Sequence, residues 1–437
     1  MALQKPPASL RKHRGVPAIN NSTTQCKKAA QPTITQKRCK GVNTRDEALS
    51  EKALVTHKKV LDNPSASEDC KKRANHIQSI VERFNDYREA LPYARATNEL
   101  SNLGDEKDDA SKQNARQQSC ITLLPVDDAS KLNAELGLPP GTITDEMLRD
   151  DKTGFRAGVF RDEGTGKLIL VGRDTQPYSM VDWMTNTRNG QGEDTPQYKA
   201  MRELTQRLVK KNVDFNLAGY SKGGGLAQEA GLIARNSRVY VFNSAGLHEN
   251  SLKRLKLSSF DPLKARTRSY SARGDFLTFM NNTTDPQQQI ANGRFLRDQL
   301  KGGFGISPMK IKYRNPAMKA AHDEKGWFAP DPDPDFNKDK QAYLSELDSM
   351  IAGYEQKHAR GETFRLFPPV RSGRHETVVN SGSALAKHMP GAGDIDASQP
   401  NFAKLIQHRM SVVLNAMEKS VKADRVALSA FAHHCGK

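Results

Sequence analysis

The stretch VDFNLAGYSKGGGLAQEAGLI, residues 213–233, decides the fold. Residues 213–220 form an apolar run typical of a buried strand, and residues 223–235 have the Gly and Ala content of a helix that packs closely on a sheet. On either side, helical patterns such as that of residues 197–211 alternate with further β-rich runs, which lie at 155–161, 168–173, 238–243 and 267–272. This alternation predicts an α/β domain with a mainly parallel sheet and helices on both faces.

The junction between this strand and helix reads Gly219-Tyr220-Ser221-Lys222-Gly223, a G-x-S-x-G pattern. At such a junction small flanking residues let the chain turn sharply and lift the serine hydroxyl above the sheet, as in the nucleophile elbow of α/β-hydrolases. Ser221 is therefore the candidate nucleophile. A glycine-rich turn without chemistry and a phosphate-binding loop are alternative interpretations of the same residues.

A serine hydroxyl needs a histidine base, and the base needs a carboxylate that orients it. In α/β-hydrolases the order along the chain is serine, acid, histidine. Asp275 directly follows the predicted strand 267–272 and is the first candidate acid. Asp261 and Asp285 are the nearby alternatives, but each precedes a proline, which is more typical of a turn.

Three histidines follow at useful distances along the chain. His408 immediately precedes an apolar helical run and is the first candidate base. His375 lies in a segment predicted to be a polar loop and is the alternative base, with His388 as a third candidate.

Acyl transfer also needs hydrogen-bond donors aimed at the developing oxyanion. The backbone N–H of Lys222 is one candidate, because it follows the nucleophile. A second can come from the loop after the predicted strand 168–173, which reads GRDT at residues 172–175. The Lys222 side chain is expected either to attract an anionic head group or to be an exposed surface charge.

The first 60 residues are much more basic than the rest of the chain. The 437 residues carry a net charge of +17, and residues 1–60 hold 13 Lys and Arg against 3 Asp and Glu. We predict a disordered basic segment over 1–60, which serves as an export signal, a tether to polyanions or membranes, or a merely solvated leader. Residues 68–118 are predicted to form an amphipathic helix that ends near Pro92, followed by a linker over 104–118.

The remaining chain divides into three predicted parts. Residues 119–281 form the hydrolase-like core, residues 282–362 an insertion that is either a lid or an inert elaboration, and residues 363–437 the C-terminal part that carries the base. The sequence offers no stretch of ~20 apolar residues for a transmembrane helix, and no apolar region follows the positive N-terminus, so a cleaved Sec signal is not expected. With aromatic residues at 6%, nucleic-acid binding by the folded part is not expected either.

The five cysteines show no C-x-x-C pair and no zinc-type spacing with histidine; they lie at positions 26, 39, 70, 120 and 435. We therefore expect neither a disulfide framework nor a structural metal, and folding in a reducing cytosol.

The run from Gly172 to His248 resembles a bacterial lipase-like family, the type VI secretion phospholipase effectors related to class 3 lipases. The similar residues are GRDT, Asp182-Trp183, Asn186, Gln191, Gln197-Tyr198, the elbow with GGGLAQEA, and Phe242-Asn243. The similarity extends upstream to residues 154–157 and downstream to Gly274-Asp275 and His408-x-Met410. The resemblance implies that Ser221 is the nucleophile, Asp275 the acid, His408 the base and Thr175 the oxyanion-loop residue.

Three positions depart from the family pattern. Tyr220 and Lys222 replace the His and Leu of a G-H-S-L-G elbow, and Asp174 stands where the F-R-G-T loop has glycine. A carboxylate at this place opposes negative charge in an oxyanion hole unless it is turned away or paired.

The resemblance implies a serine esterase that cleaves acyl esters of phospholipids without a metal or cofactor. It also implies a toxin made in the bacterial cytoplasm and exported to target-cell membranes, with an immunity protein and a secretion apparatus as partners. The basic chain is expected to be drawn to anionic membrane surfaces. Two alternatives stay open: an acyltransferase or other ester hydrolase on the same fold, and an inactive module that binds lipid or other anions through residues 1–60.

Overall fold

The computed structural model describes residues 33–103, 119–126, 128–176, 179–301, 334–378, 408 and 410–436. Its centre is an eight-stranded sheet in the order β1-β3-β4-β5-β6-β7-β8, with β2 paired to β3. The strands are β1 Ile121–Leu123, β2 Arg149–Asp150, β3 Phe155–Asp162, β4 Leu168–Gly172, β5 Phe215–Tyr220, β6 Val239–Phe242, β7 Thr267–Ala272 and β8 Arg374–Val378. The strands from β4 to β8 run parallel, and β1 to β3 add antiparallel pairs at one end. The predicted α/β fold with a mainly parallel sheet is confirmed.

Thirteen helices surround the sheet in the described part of the chain. They are α1 Ile34–Asp62, α2 Glu68–Asn102, α3 Ala129–Glu135, α4 Asp145–Leu148, α5 Met180–Gly190, α6 Pro196–Lys210, α7 Lys222–Ile233, α8 Asn250–Arg254, α9 Asp261–Lys264, α10 Phe276–Asn282, α11 Pro286–Lys301, α12 Pro334–Ala359 and α13 Met410–His434. None of these helices is both long and apolar enough to cross a membrane.

The two faces of the sheet have separate apolar cores, because successive side chains of a strand point to opposite faces. On β4, Leu170 packs with α6 and α7 on one face, whereas Ile169 and Val171 pack with α2 and α13 on the other. Burial on both faces explains why the central strands read as continuous apolar runs.

Helices α1, α2 and α13 form a layer on one face, here called the helical layer. Residues 34–60 were expected to be disordered, and that prediction is wrong, because they belong to α1. The basic composition obscured a buried stripe that includes Ala53 and Val60, and Asp46 pairs with Arg425 of α13 at 2.7 Å. Residues 1–32 lie outside the described residues.

Helix α2 also differs from the prediction, since it continues through Pro92 to Asn102. A proline inside a helix removes one hydrogen bond and costs roughly 3 kcal/mol. Packing against the sheet offsets that cost: Tyr93 stacks on Tyr240 of β6 with ring centroids 3.8 Å apart and is hydrogen-bonded by Asn216 at 2.7 Å. The stripe of α2 is buried core, whereas the predicted linker 104–118 lies outside the described residues.

Two disulfides contradict the expectation that the cysteines form no framework. Cys39 of α1 is bonded to Cys120 beside β1, and Cys70 of α2 is bonded to Cys435 after α13. The partners are 81 and 365 residues apart in sequence, so no local spacing pattern signals them. Cys26 lies outside the described residues.

The predicted insertion contributes α11 and α12, which pack on each other, and α12 also packs on α5. Thr187 and Tyr343 are hydrogen-bonded at 2.5 Å, and Arg188 makes two 3.0 Å bonds to Glu346. Residues 302–333 lie outside the described residues, and the role of the insertion as a lid stays a prediction.

Candidate active site

The elbow places Ser221 between β5 and α7 in a backbone conformation that non-glycine residues rarely adopt, with φ at 52° and ψ at −124°. The flanking glycines are required sterically. A Cβ on Gly219 would lie 2.0 Å from the Gly223 carbonyl oxygen, and a Cβ on Gly223 would lie 2.2 Å from the carbonyl oxygen of Gly172. Strain of this kind is found where it serves function, because it presents the side chain of the strained residue.

Three predicted site residues come together above this turn. His408 Nε2 lies 2.9 Å from Ser221 Oγ, and His408 Nδ1 lies 2.6 Å from Asp275 Oδ1. The second oxygen of Asp275 accepts the N–H of Thr278 at 2.7 Å, so the carboxylate also caps helix α10. The arrangement has the geometry of a nucleophile, a base and an orienting acid.

Two aromatic rings surround His408. Phe276 meets its ring edge-on at 4.6 Å between centroids, and Tyr220 lies at 5.1 Å. Tyr220, which differs from the family pattern, therefore packs near the imidazole and leaves the geometry of the elbow intact.

Asn243 is a site residue whose function the sequence reasoning did not assign. It follows β6 with a φ of 39°, and its Nδ2 donates to the His408 carbonyl oxygen at 2.9 Å. Its Oδ1 accepts the N–H of Ala272 at 2.8 Å. Asn243 thus ties the backbone of His408 to the end of β7, just ahead of Asp275, and its position at the end of a buried strand was the available signal.

The alternative candidates lie elsewhere. His375 was expected in a polar loop, which is wrong: it belongs to strand β8, and its ring nitrogens bond the hydroxyls of Ser271 and Ser269 at 2.9 and 3.2 Å. The segment was misjudged because this strand lies at the sheet edge and carries polar residues. Asp261 is bonded by Ser259, and Asp285 caps the first turn of α11, the turn chemistry expected of Asp-Pro pairs. His388 lies outside the described residues.

The predicted oxyanion groups lie at the same end of the sheet. Gly172 of β4 is in register with Gly219 of β5, so the loop containing Thr175 leaves the sheet beside the elbow. Lys222 is the first residue of α7, and the first N–H groups of a helix have no acceptor within it. The Thr175 hydroxyl accepts a hydrogen bond from Asn186 Nδ2 at 2.9 Å.

The Lys222 side chain contradicts both expectations for it. It is 2% exposed, and its ammonium group is bonded to Asp182, which is fully buried. Burial lowers the pKa of Lys222, and the charges of Asp182 and Asp174 act in the opposite direction. The Lys222 ammonium is therefore not accessible to a lipid head group.

Asp174, the third departure, is also buried, and burial raises the pKa of its carboxyl. A hydrogen bond with Ser101 of α2 and the charge of Lys222 act in the opposite direction. The carboxyl faces the helical layer, so a raised pKa and the nearby ammonium both reduce the negative charge it brings to the loop.

Residues 128–313 match the family model described as a Tle-like phospholipase domain. The matched range contains Thr175, Ser221 and Asp275 and ends before His408. No match was found among curated proteins. The matched part of the chain is thus similar to Tle-like phospholipase domains, which confirms the predicted resemblance to the lipase-like phospholipase effectors of type VI secretion.

Proposed function

We propose that this protein is a serine phospholipase that hydrolyses acyl esters of membrane phospholipids through an acyl-enzyme. The similarity to phospholipase domains implies a hydrolase with a lipid substrate. The observation that carries the finer proposal is the hydrogen-bonded series Ser221, His408 and Asp275 at the elbow.

In the acylation step, Ser221 Oγ attacks the ester carbonyl carbon while His408 Nε2 takes the hydroxyl proton. The tetrahedral intermediate collapses as the carbon–oxygen bond to the glycerol part breaks, and His408 returns the proton to that oxygen. Asp275 accepts the Nδ1–H of His408, which holds the tautomer and stabilises the imidazolium.

In the deacylation step, water repeats the attack on the acyl-enzyme with His408 as the base, and Ser221 leaves with the proton restored. The N–H of Lys222 and the Thr175 loop stabilise the oxyanion in both steps. In this mechanism His408 carries each transferred proton, from the nucleophile to the leaving oxygen in the first step and from water to Ser221 in the second.

The departures from the family pattern do not argue for an inactive domain. Tyr220 packs on the His408 ring, Lys222 is paired with Asp182, and Asp174 faces α2. Each altered side chain has partners of its own in the structure, which favours an enzyme over a binding module.

The site of action is part of the proposal. We infer production in the bacterial cytoplasm, secretion, and action on membranes of a target cell, with an immunity protein as partner. Disulfides persist in oxidising compartments and are rare in the cytosol, so the two pairs in this chain support action outside the producing cytosol. The net charge of +17 favours attraction to anionic lipid.

The test is fatty-acid release from phospholipid vesicles by the wild type and by Ser221→Ala. We expect a loss of about 10³-fold or more in the variant, because the covalent step is removed. Ser237→Ala is the matched control, since Ser237 is equally buried but bonds the Phe215 carbonyl at the opposite end of the strands. Release at one background rate by all three proteins, on short-chain esters as well, would support the binding-module alternative.

A further inference from the structure

The buried ion pair between Lys222 and Asp182, beside the proposed nucleophile, has no role in the mechanism described above. Lys222 follows Ser221 directly, yet its side chain runs inward to Asp182 in the first turn of α5. Taking two charges out of water costs free energy, so a pair at this position needs further polar contacts to be tolerated.

Asp182 has those contacts, and one of them leads to the oxyanion loop. Its Oδ1 accepts Gln197 Nε2 at 2.6 Å in addition to the Lys222 ammonium. Its Oδ2 accepts the backbone N–H of Gln176 at 2.8 Å. Gln176 is the neighbour of Thr175, so a single carboxylate joins the loop to the residue that follows the nucleophile.

Helix α5 holds the loop at a second point. Asn186, one turn beyond Asp182, donates to the Thr175 hydroxyl at 2.9 Å. Two neighbouring loop residues are thus bound by side chains four positions apart on α5, and residues at this spacing share a helix face.

The elbow and the loop also touch through their backbones. The contact of Gly223 with the Gly172 carbonyl leaves no space for a side chain, so strand end and helix start press together. That contact lies at the base of the loop, and the Lys222–Asp182 pair lies further along, where Asp182 accepts the N–H of the residue after Thr175.

We propose that the Lys222–Asp182 pair is a positioning link that holds the Thr175–Gln176 loop against the elbow and thereby sets the oxyanion hole. Lys222 then acts twice, through its backbone N–H as a donor and through its side chain as the tether of the opposing loop. The catalytic part of this inference rests on the proposed function, whereas the structural part does not.

The first test measures kcat and KM on a soluble short-chain ester for Lys222→Met. A misplacement of about 1 Å can cost roughly 10²-fold in rate, so we expect kcat to fall about 100-fold with KM within threefold of the wild type. Lys222→Met also leaves the buried Asp182 carboxylate without its ammonium partner, so its unfolding temperature should fall. The double variant Lys222→Met/Asp182→Leu removes that carboxylate, so its unfolding temperature should be higher than that of Lys222→Met. Its kcat should stay low, because the backbone N–H of Gln176 then has no carboxylate acceptor.

Glu229→Gln is the matched control. Glu229 of α7 is 1% exposed and pairs with Arg202 at 2.6 Å, but its bonds lead to α6 and α8 and not to the loop. We expect this variant to lower the unfolding temperature while kcat stays within threefold. Recovery of kcat together with stability in the double variant would overturn the proposal, as would an equal loss of kcat in the control.

The second test needs no substrate. Hydrogen exchange of the Gln176 amide should be slow in the wild type and at least tenfold faster in Lys222→Met, with no change in Glu229→Gln. Unchanged exchange in Lys222→Met refutes the link whatever the activity. This outcome can be told apart from failure of the proposed function, because in that case the wild type would hydrolyse the ester no faster than Ser221→Ala.

Discussion

The α/β core and the helical layer are held together in different ways. The core is a hydrogen-bonded ladder with apolar packing on both faces, and it contributes Ser221 and Asp275 from the ends of β5 and β7, the two strands that flank β6. The layer consists of helices of 29, 35 and 25 residues joined by side-chain packing, ion pairs and a disulfide. One of these pairs joins Arg83 of α2 to Asp424 of α13.

The proposed base comes from the border between the two regions. His408 lies two residues before α13 begins, outside the range that matches the phospholipase family, whereas the proposed nucleophile and acid lie inside it. The site is therefore complete only when the layer is packed on the core. Core and layer thus make different contributions to the site.

The largest expected effect comes from substituting one histidine at the border of the layer and one histidine in the core. His408→Ala should lower ester hydrolysis by about 10³-fold or more, because it removes the side chain that is hydrogen-bonded to Ser221 Oγ. His375→Ala, in core strand β8, should leave activity within threefold, since its ring bonds only Ser269 and Ser271 among the contacts described. Initial rates on a soluble ester measure both.

Circular dichroism and unfolding temperature serve as the control for folding in both variants. An equal loss in the two variants would contradict the assignment of His408 as the base. A loss in His375→Ala alone would transfer that role to the core.

The next effect breaks the layer and spares the core. Cys70→Ala/Cys435→Ala removes the bond that joins the start of α2 to the end of α13, and we expect unfolding to become easier by about 2–4 kcal/mol. Urea unfolding measures the change. Activity should be lost at lower urea than in the wild type, because α13 positions His408.

Cys26→Ala is the control, and it should leave the urea midpoint unchanged. Thiol titration of the denatured wild type should show four additional thiols after reduction, as expected if Cys39–Cys120 and Cys70–Cys435 are both formed. A count that reduction does not change would contradict both disulfides.

The two regions also differ in how far the sequence predicted them. The strands β3 to β7 were placed within two residues of their observed ends, because burial leaves nearly uninterrupted apolar runs, whereas the edge strand β8 was predicted to be a loop. Helix α1 was missed because its burial depends on α2 and α13, which are distant in sequence, while its exposed side is basic. The disulfides were missed for the same reason.

The site divides along the same line. Ser221 and Asp275 follow buried strands, so local patterns sufficed to find them. The inward course of Lys222 could not be predicted, since lysine is usually exposed and its partner Asp182 lies 40 residues earlier. Asn243 is one of the residues that carry the family resemblance, but only the folded chain shows the hydrogen-bond partners of its side-chain amide.

The smallest expected effect concerns Asp174, where the core loop meets the layer. Burial raises the pKa of its carboxyl even with Lys222 nearby, so the native state binds its proton more tightly than the unfolded state. The contribution of Asp174 to stability is therefore present below the unfolded pKa of ~3.9 and is lost as pH rises through the folded pKa. At neutral pH an ionised Asp174 is a cost to folding.

Asp174→Asn should accordingly raise the free energy of unfolding at pH 8, and the gain over the wild type should shrink towards pH 4. Urea unfolding at both values measures this. The control is Asp261→Asn at an exposed position, where hydrogen bonds from Ser259 and Lys264 lower the pKa of the carboxyl, so no gain at pH 8 is expected. A loss of stability in Asp174→Asn at pH 8 would mean that the carboxylate is needed in ionised form beside Lys222, and the border between core and layer would then be held by charge and not by packing.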